Sequence, residues 1–297
     1  MDKDIKILGI KMDLGMNDRG ADIGPQAIRQ LGLLAELNSC FLDICDYGDL
    51  TSKVSTQLNQ DNSFDIDMDN LITDFEAVAK TVAQIVGERN FPMILGGDHS
   101  ISVGTIPGIS KNYNNLGVIW CDAHADLNTP EITITGMIYG MALAINLGFG
   151  DSRLISIGGC NPKVEPENVV LIGTRELDPG EKEFLSGNKI EVFTPGDIHR
   201  LGIETVIKRA LEQLKPRCDG IHLSFDLDVL DPEEAPGVRT PCKNGLSYSD
   251  CVTAMGILSR SQLITSAEIT ELNPIFDKDN KTSKVAVNLI RTLLAGQ

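Results

Sequence analysis

Three short segments carry the residues able to do chemistry: LGGDHS at 95–100, WCDAHADLN at 120–128 and SFDLDVLDP at 224–232. In an extended chain, side chains at i, i+2 and i+4 share one face, so Asp122, His124 and Asp126 converge on one spot. Asp226 and Asp228 repeat the device across a single leucine, and His99 adds an imidazole after a double glycine that permits a tight turn. The set is four carboxylates and two imidazoles. Buried together without cations they would be prohibitive, because each ionised group loses hydration and repels its neighbours. Divalent metal ions resolve that conflict, and four carboxylates offset two of them. Oxygen-rich ligation with two imidazoles suits Mn²⁺ best, with Fe, Co, Ni and Zn as other candidates. Two ions sharing carboxylates can hold one hydroxide and bring the pKa of water toward neutrality, so the residues point to a binuclear hydrolase.

Taken singly, an aspartate after a strand is a cap or turn residue, and a histidine belongs to core or surface. Three such segments at strand ends, holding two of the chain's four histidines, are not explained that way. His199 and His222 lack acidic company at ligand spacing and read as structural.

The elements that must position these groups alternate. Strand-like runs occur at 5–10, 41–45, 91–95, 116–121, 169–172, 190–193, 221–227 and 263–269. Between them lie helical patterns. The first begins near Pro25, which suits a first helical turn. A clear amphipathic one spans 71–86, with apolar residues at three- and four-residue steps. Others cover 203–214, 249–258 and 285–294. Alternation with buried-looking strands predicts an α/β fold with a mainly parallel sheet covered on both faces, in one domain over 1–297. The polar, acidic stretch 50–69 reads as a surface loop. In open parallel sheets ligands bind beyond the carboxyl ends of the strands, where the three segments fall.

Composition bounds the partners. The chain has 297 residues, 42% of them apolar, enough for a substantial core. With 42 acidic and 26 basic residues its formal charge is -16, which disfavours nucleic acid and anionic membrane faces and favours metal ions and cationic substrates. The seven cysteines form no CxxC pair, the first residues lack a signal-peptide pattern, and no apolar run is long enough to span a bilayer. A cytoplasmic protein with reduced thiols is expected.

GGDHS, DAHADLNTP and SFDLDVLDP resemble the three signatures of the ureohydrolases, the arginase and agmatinase family, and the resemblance runs from ILGI through RGADIGPQAIR to ELNP. The arginase branch is the most similar in loop lengths. The resemblance implies a three-layer α/β/α fold with an eight-stranded parallel sheet, two Mn²⁺ per chain, and hydroxide attack on a guanidinium carbon with release of urea. It implies that His99, Asp122, Asp126 and Asp226 ligate one ion, and Asp122, His124, Asp226 and Asp228 the other. Glu271 would face the substrate guanidinium, Asp178 the α-amino group of arginine and Asn128 its α-carboxylate, with Thr240 near the guanidinium. Asp178 also suits an N-cap before Pro179. Thr135 keeps a hydroxyl of the family's substrate loop, Met137 replaces an amide, and Tyr139 stands where the family carries a proton-shuttling histidine. A phenol with an ordinary pKa of about 10 is a poor shuttle near neutrality. The candidate catalytic groups are thus Asp126, Glu271 and Tyr139.

Hydrolysis of L-arginine to L-ornithine and urea is the leading expectation. Agmatine, guanidinobutyrate or formiminoglutamate are alternative substrates, and a metal-binding homologue with weak or lost catalysis is a third outcome. The resemblance also implies a homotrimer or homohexamer. A deacetylase-like hydrolase with one catalytic zinc represents a different class, which two ions per chain would exclude.

Overall fold

The computed structural model describes residues 4–14, 19–39, 44–54, 56–58 and 64–296. Eight strands form one sheet in the order β2-β1-β5-β10-β9-β6-β7-β8, every neighbouring pair parallel. They are β1 (Ile5–Lys11), β2 (Ile44–Thr51), β5 (Phe91–Leu95), β6 (Leu116–Cys121), β7 (Val169–Ile172), β8 (Glu191–Phe193), β9 (Gly220–Asp226) and β10 (Ile264–Thr270). A separate antiparallel pair joins β3 (Thr56–Leu58) to β4 (Phe64–Ile66).

Helices cover both faces because strand side chains alternate. Ile119 and Cys121 point into one core, with α1 (Gly24–Gln30), α2 (Leu33–Asn38), α7 (Pro195–Leu201), α8 (Ile203–Leu214), α9 (Tyr248–Ser261) and α10 (Lys281–Leu294). Val118 and Trp120 point into the other, with α3 (Met68–Gly87), α4 (Ser102–Ser110) and α5 (Ala142–Asn146). The last described helix, α6 (Pro179–Gly187), follows β7. The expected three-layer arrangement is therefore the observed one.

Two local expectations change. Residues 41–43 of the expected second strand lie outside the described residues, and β2 runs on to Thr51, into the stretch read as loop. Strand β2 forms an edge and is mostly exposed, so no apolar period marks it. Arg29 of α1 holds it instead, with Nε 2.8 Å from Asp46 and Nη1 2.5 Å from Asp49. The pair β3 and β4 also falls inside the expected loop. Helix α4 escaped the periodicity reading because all but its last residue are buried, leaving no polar stripe to set a period.

The sheet order decides where the chemistry sits. Strands β5, β10, β9 and β6 are four consecutive central neighbours. Their carboxyl ends deliver His99, Glu271, Asp226 with Asp228, and Asp122 to Asp126, respectively.

Candidate metal centre and its cleft

His99 enters through GGDHS by close backbone approach. A Cβ on Gly97 would land on the Met12 carbonyl, and Gly97 does not have positive φ. The double glycine therefore serves close approach, Gly97 to the chain just past β1 and Gly96 to the Ile269 carbonyl of β10, rather than an unusual turn. The Asp98 amide then donates to the Met12 carbonyl at 3.0 Å, and the Asp98 carboxylate caps the short turn that carries His99.

Asp122, His124 and Asp126 converge by another route than the pleat expected from their spacing. They lie beyond the end of β6 in irregular chain, and Asp126 is in the left-handed region at φ 52. Glu271 is also left-handed, at φ 65, immediately after β10. Such conformations cost non-glycine residues energy and gather at functional sites. Several backbone amides hold the group together. His124 N donates to Asp122 Oδ1 at 2.6 Å, Asp228 N to Asp226 Oδ1 at 2.7 Å, Ala123 N to Asp228 Oδ1 at 3.1 Å, and His99 N to Glu271 Oε1 at 2.7 Å.

The six residues meet. His99 Nδ1 lies 2.9 Å from Asp122 Oδ2, 3.2 Å from Asp226 Oδ2 and 3.3 Å from Asp126 Oδ2. His124 Nδ1 lies 3.0 Å from Asp228 Oδ2 and 3.4 Å from Asp122 Oδ1. Two groups able to hold a metal ion result: His99, Asp122 and Asp126, and Asp122, His124 and Asp228. Asp122 offers one oxygen to each. Asp226 reaches the first group through Oδ2.

A test of fit is whether the site makes sense without cations. His99 Nδ1 is buried among three carboxylate oxygens yet makes no hydrogen bond to any of them. A ring nitrogen sharing a focus with those oxygens is the arrangement a divalent ion requires. The charges agree. Burial works against a charged His99, but Asp122 and Asp226 outweigh it and hold the ring well above its usual range. His124 is likewise raised against burial, by Asp228 and Asp122. Burial, then repulsion by Asp122, pushes the Asp126 carboxyl well up, and burial with Asp228 and Asp122 does the same to Asp226. Asp122 moves the other way: burial would raise it, but the two imidazoles hold it down. Protons stand in these positions for the missing positive charge.

A cleft of about 220 Å³ opens onto the cluster. Asn128, Thr135, Tyr139, Asp178, Thr240 and Glu271 all line it, together with every member of the cluster except Asp122. Thr240 Oγ1 donates to Asp228 Oδ2 at 3.2 Å, and Asn128 Nδ2 to Asp178 Oδ2 at 3.0 Å. Asp178 also caps α6 in a reciprocal box with Glu181, as expected before Pro179, while lining the cleft. Met137 differs: it is buried and lies outside the cleft lining. His222 is fully buried within β9, as read.

Sequence reasoning missed several residues. Trp120 stacks on His99 with ring centroids 4.0 Å apart and donates Nε1–H to Asp122 Oδ2 at 3.1 Å. Glu181 accepts from Leu127 N at 3.0 Å and Asp178 N at 2.9 Å, joining the metal loop to the substrate wall. Arg175 donates to the carbonyls of Asp228 and Cys242, both at 2.8 Å, bracing the chain that carries Asp228. Arg239 is nearly buried, 2.5 Å from Asp13, with Cζ 5.1 Å from the Tyr139 ring centroid. Only Glu181 had a usable signal, three residues after an aspartate before proline.

A model of the Arginase family matches residues 3–296. The chain belongs to the Arginase family. It is 47% identical over 294 residues to the arginase of Bacillus caldovelox, covering 98% of both chains. The crystal structure of arginase from Bacillus cereus superposes with a TM-score of 0.92 at 45% identity, again over 98% of each chain. The arginase of Entamoeba histolytica, solved with L-ornithine, is 30% identical with a TM-score of 0.89 over 99% of each chain. This arginase-family chain thus keeps the fold across its whole described length, and its site can be read in those terms.

Proposed function

We propose that this protein hydrolyses the guanidino group of L-arginine, giving L-ornithine and urea, with two Mn²⁺ ions per chain. The observation that carries the reading is His99 Nδ1, which shares a focus with three carboxylate oxygens and bonds none of them. His99, Asp122, Asp126 and Asp226 would hold one ion, and Asp122, His124, Asp226 and Asp228 the other. Bound there, such ions would lower the pKa of water toward neutrality and so supply a nucleophile.

The protein's own groups do the rest. Glu271 orients the planar cation, its Oε1 already fixed by the His99 amide. Asp126, which lines the cleft beside the cluster, would pass a proton toward the departing amine. At the far end Asp178 takes the α-ammonium. Asn128 gives one N–H to Asp178 and leaves Oδ1 buried without a partner. The second hydrogen of its NH₂ is the donor that would meet an α-carboxylate. Thr135 and Thr240 complete the walls. The six cysteines among the described residues are free thiols, which suits a cytoplasmic setting, and no described helix is long and apolar enough to cross a membrane. A homotrimer or homohexamer is the assembly we propose.

One observation favours a second reading. Burial raises the Tyr139 hydroxyl above its usual range, and Arg239, which opposes that shift, sits against its ring. Tyr139 can donate a hydrogen bond but would be a poor proton shuttle near neutrality. Slow turnover of arginine, another guanidino or formimino substrate, or lost catalysis would each follow. Manganese-loaded protein should be assayed for amine and urea or formamide release from L-arginine, agmatine, guanidinobutyrate and formiminoglutamate. Equimolar urea and ornithine from arginine alone supports the first reading. No product from any of the four overturns it.

A further inference from the structure

Behind His99, away from the cleft, lies a chain of buried polar side chains that the reaction does not touch. His99 Nε2 is 2.8 Å from Ser224 Oγ. Ser224 Oγ donates to Glu268 Oε1 at 2.7 Å, and Thr105 Oγ1 donates to Glu268 Oε2 at 2.6 Å. His222 Nε2 stands 3.4 Å from Glu268 Oε1, an ion-pair distance, while its Nδ1 is 3.0 Å from Ser266 Oγ. All of these residues are buried, and Glu268, Ser224 and His222 have no exposed surface. A carboxylate in such a place needs a reason, because an ionised group without partners does not persist there.

The reason lies in the count of hydrogens. An ionised carboxylate only accepts, so both Glu268 oxygens are served by hydroxyl donors. A serine has one hydrogen, and Ser224 gives its own to Glu268. Facing His99 Nε2 it can then only accept, so Nε2 must carry the proton. A neutral imidazole protonated on Nε2 has its lone pair on Nδ1, the atom aimed at Asp122, Asp126 and Asp226. We propose that Glu268 is the positioning residue that fixes the tautomer of His99 through Ser224, and so sets the affinity of the first ion. Glu268 touches neither ion nor substrate. It lies in β10 and Ser224 in the adjacent β9, so the sheet register, which pairs Glu268 with Ser224, builds the relay into the backbone. The carboxyl is held in its ionised form: burial would raise it, and His222, then His99 and Thr105, bring it below the usual range.

The inference rests on the metal reading proposed above, and the test separates the two. The variants are Glu268→Met, which removes the acceptor at similar length, and Glu268→Gln, whose amide oxygen can still accept from Ser224. Mn²⁺ binding is followed by electron paramagnetic resonance and by metal content after dialysis, with thermal melts as a check of folding. Wild type and Glu268→Gln should each bind two ions. In Glu268→Met the Ser224 hydroxyl turns to donate to Nε2, and one ion should bind about 10- to 100-fold more weakly, with loss of the spin-coupled signal. If Glu268→Met is too unstable to load, Thr105→Val tests the same relay, since it strips one donor from Glu268 and should weaken the first ion less. Two ions of unchanged affinity in folded Glu268→Met would overturn the relay. An equal loss in Glu268→Gln would also overturn it. A wild-type protein that binds no ion would overturn the metal reading itself.

Discussion

Arg239 offers a quantitative handle, because its cost can be worked from the contacts. Its guanidinium is 2.5 Å from Asp13 Oδ1, with side chains 6% and 0% exposed. Asp13 Oδ2 receives the amides of Gly20 and Ala21 at 2.6 and 2.9 Å, where the chain enters α1. The same cation opposes the burial of Asp98 and of Glu271, whose carboxyl is pushed up to about 7. Arg239→Met keeps the apolar stem and removes the charge. Asp13 is then left buried without its cation, and breaking such a pair by deleting one partner costs about 3–5 kcal/mol. Asp98 loses the group that favours its ionised form and takes up a proton more readily. Arg239→Lys keeps the charge and gives up the planar fork, so its loss should be smaller. Urea unfolding in excess chelator isolates this term, since bound metal would add stability by mass action. A shift of the midpoint at unchanged slope is expected, larger for methionine than for lysine. If Arg239→Met costs under about 1 kcal/mol, the guanidinium is not holding these carboxylates together and the account of the pocket's charge is wrong.

Three further outcomes follow from the site. Tyr139→His should raise turnover of arginine near neutral pH, visible as a kcat gain that shrinks toward alkaline pH; an unchanged profile in folded protein removes the shuttle argument. Glu181→Ala deletes the acceptor for the Leu127 and Asp178 amides. It should cost about 1–3 kcal/mol of stability and lower activity, as a urea titration and a urea-release assay would report. Metal uptake should weaken as pH falls. His99 and His124 are held above their ordinary value by neighbouring carboxylates, so each carries a proton at neutral pH that must leave before an ion binds. Those protons are present below the raised values and lost as pH rises through them, so affinity should climb with pH and protons appear on loading. Affinity that stays flat from pH 6 to 9 would contradict that charge assignment.

Most of the sheet could be read in advance, since buried parallel strands are continuous apolar runs between helical periods. Strands β5, β6 and β7 begin and end as their apolar residues do. What could not be read was held by something other than apolar burial. Strand β2 is a polar edge secured by Arg29, and α4 is too uniformly buried to show a stripe. The six metal-ligand candidates were legible because ligation demands rare residue types at fixed spacing, and they do meet. The reason given for their convergence was wrong: the chain after β6 is not extended, and Asp126 reaches the cluster by turning left-handed. Trp120, Ser224, Glu268 and Arg239 were invisible because their chemistry exists only across the fold. The sequence separation between Ser224 and Glu268 is 44 residues, yet they are register partners on neighbouring strands.

Tyr139 and Arg239 have to be considered as one feature. A phenol in place of a shuttle, taken alone, looks like the loss of a function. The structure shows a buried cation against that ring, at 5.1 Å, and the same cation lies within electrostatic reach of Glu271. An aromatic face favours such a cation by about 0.5–2 kcal/mol, more as water is excluded. The ring therefore helps keep a resident guanidinium beside the carboxylate that would orient the substrate's own. That carboxylate is consequently part-neutralised before any ligand arrives, and an incoming cation gains less from it than from a bare glutamate. Groups in contact do not act additively, so a change at 139 alone alters both the proton path and the hold on Arg239. Tyr139, Arg239 and Glu271 therefore form one electrostatic unit, in which a change at any member reaches the other two.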